Sequence, residues 1–234
     1  MRPIDDRATL ALNSGQNHLP DLPSIIPLFP LPSVVLFPGV ELPLRIFEPR
    51  YRQMIADIAD NHGTIGMMLL KEGWQRDYEG TPDIFEIGCA GVIDKLVPLP
   101  DGRYNLILRG VSEFRVAREI RTRSYRQAQT IWCPVQQSAL ELDSEAMETL
   151  HELLIGFLGE PAHEAWAGIV EQRGLRDAAL VNLLCFHLDL APIEKQTLLE
   201  ALGCRVGSLF DLLAFKIEEQ RQGGGSKGGS DPIQ

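Results

Sequence analysis

The stretch IPLFPLPSVVLFPGVELPLRIFEPRY, residues 26–51, contains the strongest structural signals in this chain. Its segment Val34–Phe37 is β-branched and aromatic, which predicts a buried strand. Pro38-Gly39 predicts a turn directly afterwards, because proline fixes φ and glycine tolerates positive φ. Residues 41–46 alternate polar and apolar side chains, which predicts a half-exposed strand, and Pro43 suits either a sheet edge or a bulge. Two strands joined by a tight turn are therefore expected.

A helix is expected immediately after this pair of strands. Pro49 suits the first helical position, and the preceding Glu48 meets the positive end of the helix dipole. Apolar side chains then recur at i, i+3, i+4 and i+7, which is the spacing of one buried helix face. Those side chains are Tyr51, Met54, Ile55 and Ile58.

Short strand-like segments recur up to Trp132 and predict a small, mostly antiparallel, curled sheet or barrel with one helix inserted after the third strand. Asp101-Gly102 lies between two apolar runs and predicts a hairpin. Arg109-Gly110 predicts a bend that separates two strands. The predicted strands are Ile25–Phe29, Val34–Phe37, Leu42–Ile46, Ile65–Leu70, Phe85–Leu96, Tyr104–Leu108, Phe114–Ile120 and Tyr125–Trp132.

Pro134 marks a change from strand to helix periodicity, so the chain is predicted to be of the α+β class. Apolar spacing predicts five helices: one over residues 140–158, one over residues 162–173, a largely buried one over residues 177–190, one from Pro192 to Gly203, and one lined by Leu209, Phe210, Leu213 and Ile217. The predicted organisation has four parts. They are a flexible arm (1–23), a β-barrel (24–134), a helical bundle (135–221) and a disordered tail rich in glycine and serine (222–234).

Residues 26–55, with further segments such as YNLILRGVSEFRV at 104–116 and EKQTLLE at 194–200, resemble the Lon N-terminal domain, also called the Lon substrate-binding domain. The resemblance extends over residues 25–219. Four positions depart from the family pattern: Arg45, Ile65, Cys89 and Glu113 stand where His, Phe, Thr and Arg are common.

The resemblance implies a PUA-like barrel followed by helices and a role in recognising polypeptide. Full-length Lon enzymes continue into an ATPase module with a phosphate-binding loop and a protease module with a Ser-Lys dyad. No motif of either module is found in this sequence. The expectation is therefore a stand-alone bacterial Lon-domain protein that is not an enzyme.

Charge is unevenly distributed along the chain, whose net charge is −10. Residues 1–134 hold 15 Lys and Arg against 16 Asp and Glu, whereas residues 135–234 hold 7 against 16. The acidic second half would repel a nucleic-acid backbone. The exception is an arginine cluster in the first half, which predicts either a solvent-exposed face or a contact with phosphate or an acidic peptide. Its members are Arg115, Arg118, Arg121, Arg123 and Arg126.

Several classes of protein are not expected from the sequence. No run approaches the ~18 apolar residues of a membrane span, and the first 23 residues lack the apolar core of a signal peptide, so the expected location is cytoplasmic. The four cysteines are too far apart for a CxxC pair, which predicts neither a zinc site nor a disulfide framework. No cofactor, metal or catalytic residue is expected. The oligomeric state stays open.

The predicted function is a non-enzymatic polypeptide-binding module, an adaptor or substrate-binding protein in protein quality control, and whether it acts with a separate protease or alone stays open. Its partners would be unfolded or exposed polypeptide segments, bound in an apolar groove or by pairing with an edge strand. Two alternatives stay open: an RNA-binding PUA-like protein, which the arginine cluster favours, and an ATP-independent peptidase. The predicted peptide-binding residues, all near the first turn and helix, are Phe37, Arg45, Phe47, Glu48, Arg50 and Tyr51.

Overall fold

The computed structural model describes residues 22–59, 63–77, 80–159 and 177–224. The strands within these ranges are β1 (Ile25–Leu31), β2 (Glu41–Ile46), β3 (Thr64–Leu69), β4 (Ile87–Pro98), β5 (Tyr104–Ile120) and β6 (Gln127–Trp132). The α-helices are α1 (Pro49–Ile58), α2 (Ser144–Leu158), α3 (Asp177–His187), α4 (Pro192–Glu200) and α5 (Arg205–Gly224). Short 3-10 turns occupy Trp74–Asp77, Gln137–Leu140 and Leu202–Cys204.

The six strands form one mixed sheet in the order β2-β5-β4-β3-β1-β6, in which β5 also pairs with β6. Strands β5, β4, β3, β1 and β6 therefore make a closed ring of pairings, and β2 joins the first half of β5 outside that ring. Among the described strands β1–β3 is the one parallel pair, and the other five pairings are antiparallel. The predicted α+β class is confirmed, as is the mostly antiparallel sheet.

Strand β5 is continuous over 17 residues, so the predicted break at Arg109-Gly110 is wrong. Gly91 of β4 opposes Gly110, and Ala90 opposes Ser112. Val111 is therefore an extra residue in β5 and forms a β-bulge, which bends the strand without ending it. Beyond the bulge the alternation of faces is shifted by one residue.

The shifted alternation gives β5 two distinct faces. Leu106, Leu108 and Glu113 lie on one face, which packs against the helices. The other face carries Ile107 before the bulge and Phe114 after it. Phe114 is fully buried and fills the interior of the ring. We call these the helix face and the ring face of β5.

The predicted strand Val34–Phe37 is also wrong. These residues form no strand, although Val35, Leu36 and Phe37 are at most 3% exposed. The segment crosses β5 at Gly110, where an added Cβ would lie 2.1 Å from the Phe37 carbonyl oxygen. Their apolar character therefore reflects burial in the core and not strand pairing, two origins that a short apolar run does not distinguish.

The turn after this segment is confirmed. The Val40 N–H donates to the Phe37 carbonyl over 3.2 Å, and Gly39 has φ +81°. The Gly39 N–H donates to the Gly110 carbonyl, and the Gly110 N–H donates to Val40, both over 2.9 Å. This exchange fixes the register in which β2 continues along β5 as an edge strand, one of the two positions that Pro43 suits.

The described helices lie near their predicted positions, but three are shorter: α2 begins at Ser144 and not at residue 140, α3 ends at His187 and not at residue 190, and α4 ends at Glu200 and not at Gly203. Helix α1 begins at Pro49 and buries all four predicted side chains, and α4 begins at Pro192 as expected. Helix α2 begins at Ser144 because the Asp143 side chain accepts a hydrogen bond from the Ala146 N–H over 2.8 Å. The predicted helix over residues 162–173 lies outside the described residues. Helix α5 extends to Gly224, three residues into the predicted disordered tail, so that boundary is corrected.

One cluster of buried apolar side chains includes residues of the strands and of α2–α5, and three buried polar side chains tie the two halves together. Asn182 of α3 donates to the Pro38 carbonyl over 3.0 Å, and Gln196 of α4 donates to the Ile87 carbonyl over 2.9 Å. The third, Arg205 of α5, is fully buried and forms a 2.5 Å ion pair with Glu113 of β5. Strands and helices therefore share both an apolar core and a polar network.

Candidate functional site

The outer surface of the three strands β2, β5 and β4 carries an open apolar groove of about 370 Å³. The groove is formed by the first half of β5, which extends beyond the ring. In this half of the strand the ring face of β5 is exposed to solvent. Val97 is 40% exposed there, and Ile107 is half-buried beside it. We call it the edge groove, defined by Pro43, Arg45, Lys95, Val97, Asn105 and Ile107, all of which line it.

Strand register orders these six side chains into two rows. Pro43, Ile107 and Lys95 oppose one another across the three strands, and Arg45, Asn105 and Val97 form the next row. The two cations therefore occupy opposite corners of the edge groove, and Pro43 and Val97 occupy the other two. Ile107 and Asn105 lie between them.

Arg45 and Lys95 are exposed, and neither makes an ion pair within the described part of the chain. The nearby carboxylates are engaged elsewhere. Asp101 is hydrogen-bonded and ion-paired to Arg103, and Asp94 lies 4.0 Å from Arg109. Hydrogen bonds from Arg103, with a weaker field from Arg45, lower the pKa of Asp101 to about 2. The edge groove is thus a locally positive surface on an acidic chain.

Pro43 shapes the outer edge of β2. The Gly110 N–H to Val40 carbonyl bond makes Val40 and Gly110 a hydrogen-bonded pair, so alternation turns the backbone groups of residues 41, 43 and 45 away from β5. Proline has no N–H, so the middle of this free edge lacks a donor. An added strand would lose a ladder hydrogen bond there, which disfavours edge pairing.

A second concave surface, of about 260 Å³, lies beside α1 and the loop before β6. Pro30, Leu70 and Thr81 contribute to its wall. We call it the arginine cleft, defined by Arg50, Tyr51, Arg121, Arg123, Tyr125 and Arg126.

Carboxylates neutralise most of the arginine cleft. Arg126 donates to both oxygens of Glu119, over 2.6 and 3.0 Å, and also to the Pro82 carbonyl. Arg123 lies 3.6 Å from Asp57, and Arg50 lies 2.9 Å from Glu48. The cleft is therefore a network of internal ion pairs more than an open positive surface.

Asp57 also accepts two side-chain hydrogen bonds beside the arginine cleft. It accepts hydrogen bonds from Gln53 over 2.6 Å and from the Tyr125 hydroxyl over 2.9 Å, and these bonds lower the pKa of Asp57. Burial, followed by the hydrogen bond to Asp57, raises the pKa of Tyr125 to about 12. The phenol therefore stays protonated at neutral pH and acts as a donor that anchors α1 to the segment before β6.

The predicted peptide-binding residues do not form one site. Phe37 is fully buried, 5.3 Å from the Arg205 guanidinium carbon, and is a core residue. Arg45 lines the edge groove, whereas Arg50 and Tyr51 line the arginine cleft, where Glu48 pairs with Arg50. Phe47 is 61% exposed and lines neither cavity.

Tyr51 is itself largely a core residue. It is 5% exposed, and its ring centroid lies 4.3 Å from that of Phe29. The Arg50 guanidinium carbon lies 4.8 Å above the Tyr51 ring. Removing the Tyr51 side chain would therefore disturb core packing as well as the cleft.

Sequence reasoning missed Lys95, Val97, Asn105 and Ile107 of the edge groove. The alternation of Asn105 and Ile107 with buried Leu106 and Leu108 was a usable signal, because it marks a strand with one solvent face. Nothing local indicated that β2 and β4 would flank that face, since this depends on strand order.

The predicted arginine cluster is largely internally paired. Arg115 pairs with Glu86 over 2.8 Å, and Arg123 and Arg126 pair within the arginine cleft. In the described residues Arg118 and Arg121 have no carboxylate partner, and both are exposed. No described helix is both long enough and apolar enough to cross a membrane.

Comparison with known proteins defines the class. Residues 25–205 match the profile of the substrate-binding domain of the ATP-dependent protease La (LON). The chain therefore belongs to the Lon substrate-binding domain family, as its sequence predicted.

Curated relatives agree with this assignment. The chain is 26% identical over 202 residues to Lon protease 2 of Myxococcus xanthus and 25% identical over 218 residues to the Lon protease of Anaeromyxobacter dehalogenans. Each alignment covers 85% of this chain and 24% of the relative, so the chain spans about a quarter of their length.

Two solved structures share the fold. A Lon N-terminal domain protein from Xanthomonas campestris is 29% identical, with a TM-score of 0.58 over 82% of this chain and 98% of that one. The N-terminal domain of a Mycobacterium avium complex Lon protease is 16% identical, with a TM-score of 0.60 over 83% of this chain and 98% of that one.

Proposed function

We propose that this chain binds polypeptide segments that expose apolar side chains, and that the edge groove is the surface that receives them. The observation that carries the proposal is an open apolar groove of about 370 Å³ on a sheet face, in a chain of the Lon substrate-binding family. Val97 and Ile107 offer aliphatic surface that a bound side chain would remove from water.

Contact through side chains is favoured over strand addition. The free edge of β2 lacks a donor at Pro43, so it is a poor template for a ladder. Binding in the edge groove does not depend on a backbone donor, because its contacts are apolar and non-directional. Clients of varied sequence would fit such a surface, which suits a module that recognises unfolded chains.

We also propose that the closed ring of β5, β4, β3, β1 and β6 is the PUA-like barrel implied by the family resemblance. Its support is the additional β5–β6 pairing and the packing of Phe114 inside the ring. The barrel would hold β5 rigid at one end, so that the groove at the other end is preformed.

The proposed role is that of a non-enzymatic adaptor that delivers bound clients to a separate protease in the cytoplasm. Its support is that the family match is to a substrate-binding domain. The RNA-binding alternative is less well supported, since three of the five clustered arginines already pair with carboxylates. The peptidase alternative has no supporting observation.

Binding of a fluorescently labelled, carboxymethylated and permanently unfolded protein, followed by anisotropy, tests the proposal. The variant Val97→Asn/Ile107→Asn is expected to weaken binding by about tenfold, because two aliphatic contacts of roughly 0.7 kcal/mol each are lost. The matched control is Ile131→Asn on β6, where Ile131 is 56% exposed but lies outside both cavities, and it is expected to bind normally.

A second variant locates the site. Arg50→Ala/Arg121→Ala removes two side chains of the arginine cleft without touching the core position Tyr51, and is expected to leave binding unchanged. Circular dichroism checks that every variant is folded. Loss of binding in the arginine variant with full binding in the groove variant would overturn the placement, and no binding by the parent chain would overturn the function.

A further inference from the structure

Within the described residues the two cations of the edge groove make no ion pair, unlike most of those in the arginine cleft. Arg45 and Lys95 make no ion pair in the described ranges, and no carboxylate lines the groove. Two exposed cations without an ion pair, beside aliphatic surface, are complementary to a ligand that combines carboxylates with an apolar side chain.

The strand register of Arg45 and Lys95 fixes the distance between the two cations. Arg45 and Lys95 lie two strands apart and one row apart. With strands about 4.8 Å apart and about 6.7 Å between residues on the same face, their Cα atoms are separated by roughly 12 Å along the diagonal of the groove. Ile107 and Asn105 lie between them, so the middle of that diagonal includes an apolar contact.

An extended peptide matches this spacing. Residues i, i+2 and i+4 of a strand lie on one face, and i to i+4 covers about 13 Å. Acidic residues at i and i+4 would reach the two cations while an apolar residue at i+2 contacts Ile107. A segment with adjacent acids would reach only one cation at a time.

We propose that the edge groove selects extended segments in which an apolar residue is flanked, two positions away on each side, by a carboxylate. The selection rests on the proposed polypeptide-binding function and adds a charge requirement to it. The global acidity of the chain would disfavour highly acidic partners, whereas two carboxylates placed over Arg45 and Lys95 meet a local positive field.

Synthetic peptides test this selection directly. The test peptide has the core Glu-Thr-Leu-Thr-Glu between short Ser-Gly ends, and its controls replace both Glu by Gln or move them to adjacent positions. The Glu peptide is expected to bind about fivefold more tightly than either control, because two exposed charge pairs each contribute modestly. That preference is expected to shrink as salt rises.

Charge-reversed variants assign the effect to the groove. Arg45→Glu/Lys95→Glu is expected to invert the preference, so that a Lys-Thr-Leu-Thr-Lys peptide binds better than the Glu peptide. The matched control is Arg118→Glu, which changes an exposed arginine of β5 that lies outside both cavities and has no carboxylate partner among the described residues. It is expected to retain the preference for Glu.

The outcomes separate the two proposals. Equal affinity for the Glu and Gln peptides, with Val97→Asn/Ile107→Asn still weakening both, would overturn the charge selection and leave polypeptide binding intact. A Glu preference that survives reversal of Arg45 and Lys95 would also overturn the selection. No binding of any peptide or unfolded protein would overturn both proposals.

Discussion

Breaking the buried ion pair between Glu113 and Arg205 is expected to be the most damaging polar change in the molecule. Glu113 is 2% exposed and Arg205 is fully buried. The Arg205 guanidinium also donates to Asn182 over 2.5 Å and to the carbonyls of Leu198 and Leu199 over 3.0 and 3.3 Å. Those carbonyls belong to the last turn of α4, so the side chain also caps that helix.

The expected magnitude depends on what each substitution leaves behind. Arg205→Met strands the Glu113 carboxylate and uncaps α4, and is expected to lower the free energy of unfolding by about 5 kcal/mol. Glu113→Gln keeps an acceptor for a guanidinium that retains three other partners, and is expected to lower it by about 3 kcal/mol. The double variant Glu113→Gln/Arg205→Met is expected to fall short of the sum by about 2 kcal/mol, because neither side then holds a buried charge.

Urea unfolding, followed by far-ultraviolet circular dichroism and tryptophan fluorescence, measures these differences. The matched control is Arg115→Ala, which breaks the exposed ion pair of Arg115 with Glu86 and is expected to change stability by less than about 1 kcal/mol. Because a domain has only about 5–15 kcal/mol of stability, Arg205→Met would be measured at low temperature or with a stabilising osmolyte if it is largely unfolded at 25 °C.

Two results would contradict the role of the buried Glu113–Arg205 ion pair. If Arg205→Met lowered stability no more than Arg115→Ala, the buried pair would not be a principal link between sheet and helices. If the double variant showed strictly additive losses, Glu113 and Arg205 would not act on each other, whatever each contributes alone.

Two further changes test other parts of the structure. Because the pKa of Tyr125 is raised to about 12, the folded chain keeps a phenol proton between about pH 10 and pH 12 that the unfolded chain has released. The free energy of unfolding therefore falls as pH rises through this window. Tyr125→Phe is expected to lose less stability than the parent between these pH values in urea unfolding; equal losses would refute the assignment. Gly110→Ala places a Cβ 2.1 Å from the Phe37 carbonyl oxygen and is expected to lower the free energy of unfolding by about 1–3 kcal/mol. Gly207→Ala adds a Cβ in open space on α5 and is expected to raise the free energy of unfolding by about 0.5–1 kcal/mol. Similar midpoints for the two alanine variants in thermal unfolding would contradict this.

Local signals account for the parts of the fold that the sequence predicted. Pro49 and Pro192 begin helices because a proline at the first helical position removes no hydrogen bond. Gly39 and Gly102 adopt positive φ in the turns predicted for them. Each of these features depends on a few adjacent residues, which a single sequence contains.

The errors arise where distant parts of the chain meet. Val34–Phe37 has strand composition, but its backbone crosses β5 and its side chains fill the core. Gly110 was interpreted as a bend, whereas it is a point of close approach inside a continuous strand. Arg45 and Arg50 are five residues apart and line different cavities, because β2 ends between them and Arg50 belongs to α1.

Glu113 shows the same dependence on distant partners. Its position departs from the family pattern, and no neighbour in sequence explains a buried acid there. The explanation is Arg205, 92 residues later. A single sequence does not indicate such a pairing.

The extra residue Val111 fixes the length of chain between the edge groove and the buried ion pair. Deleting Val111 would restore strict alternation in β5 up to Val116 and turn the segment after residue 111 over, so that Glu113 would enter the ring interior and Phe114 would face the helices. Lengthening the hairpin at residues 99–103 would leave both faces unchanged. Related sequences are therefore expected to vary in length at that hairpin and to keep a constant count of residues from Ile107 to Glu113.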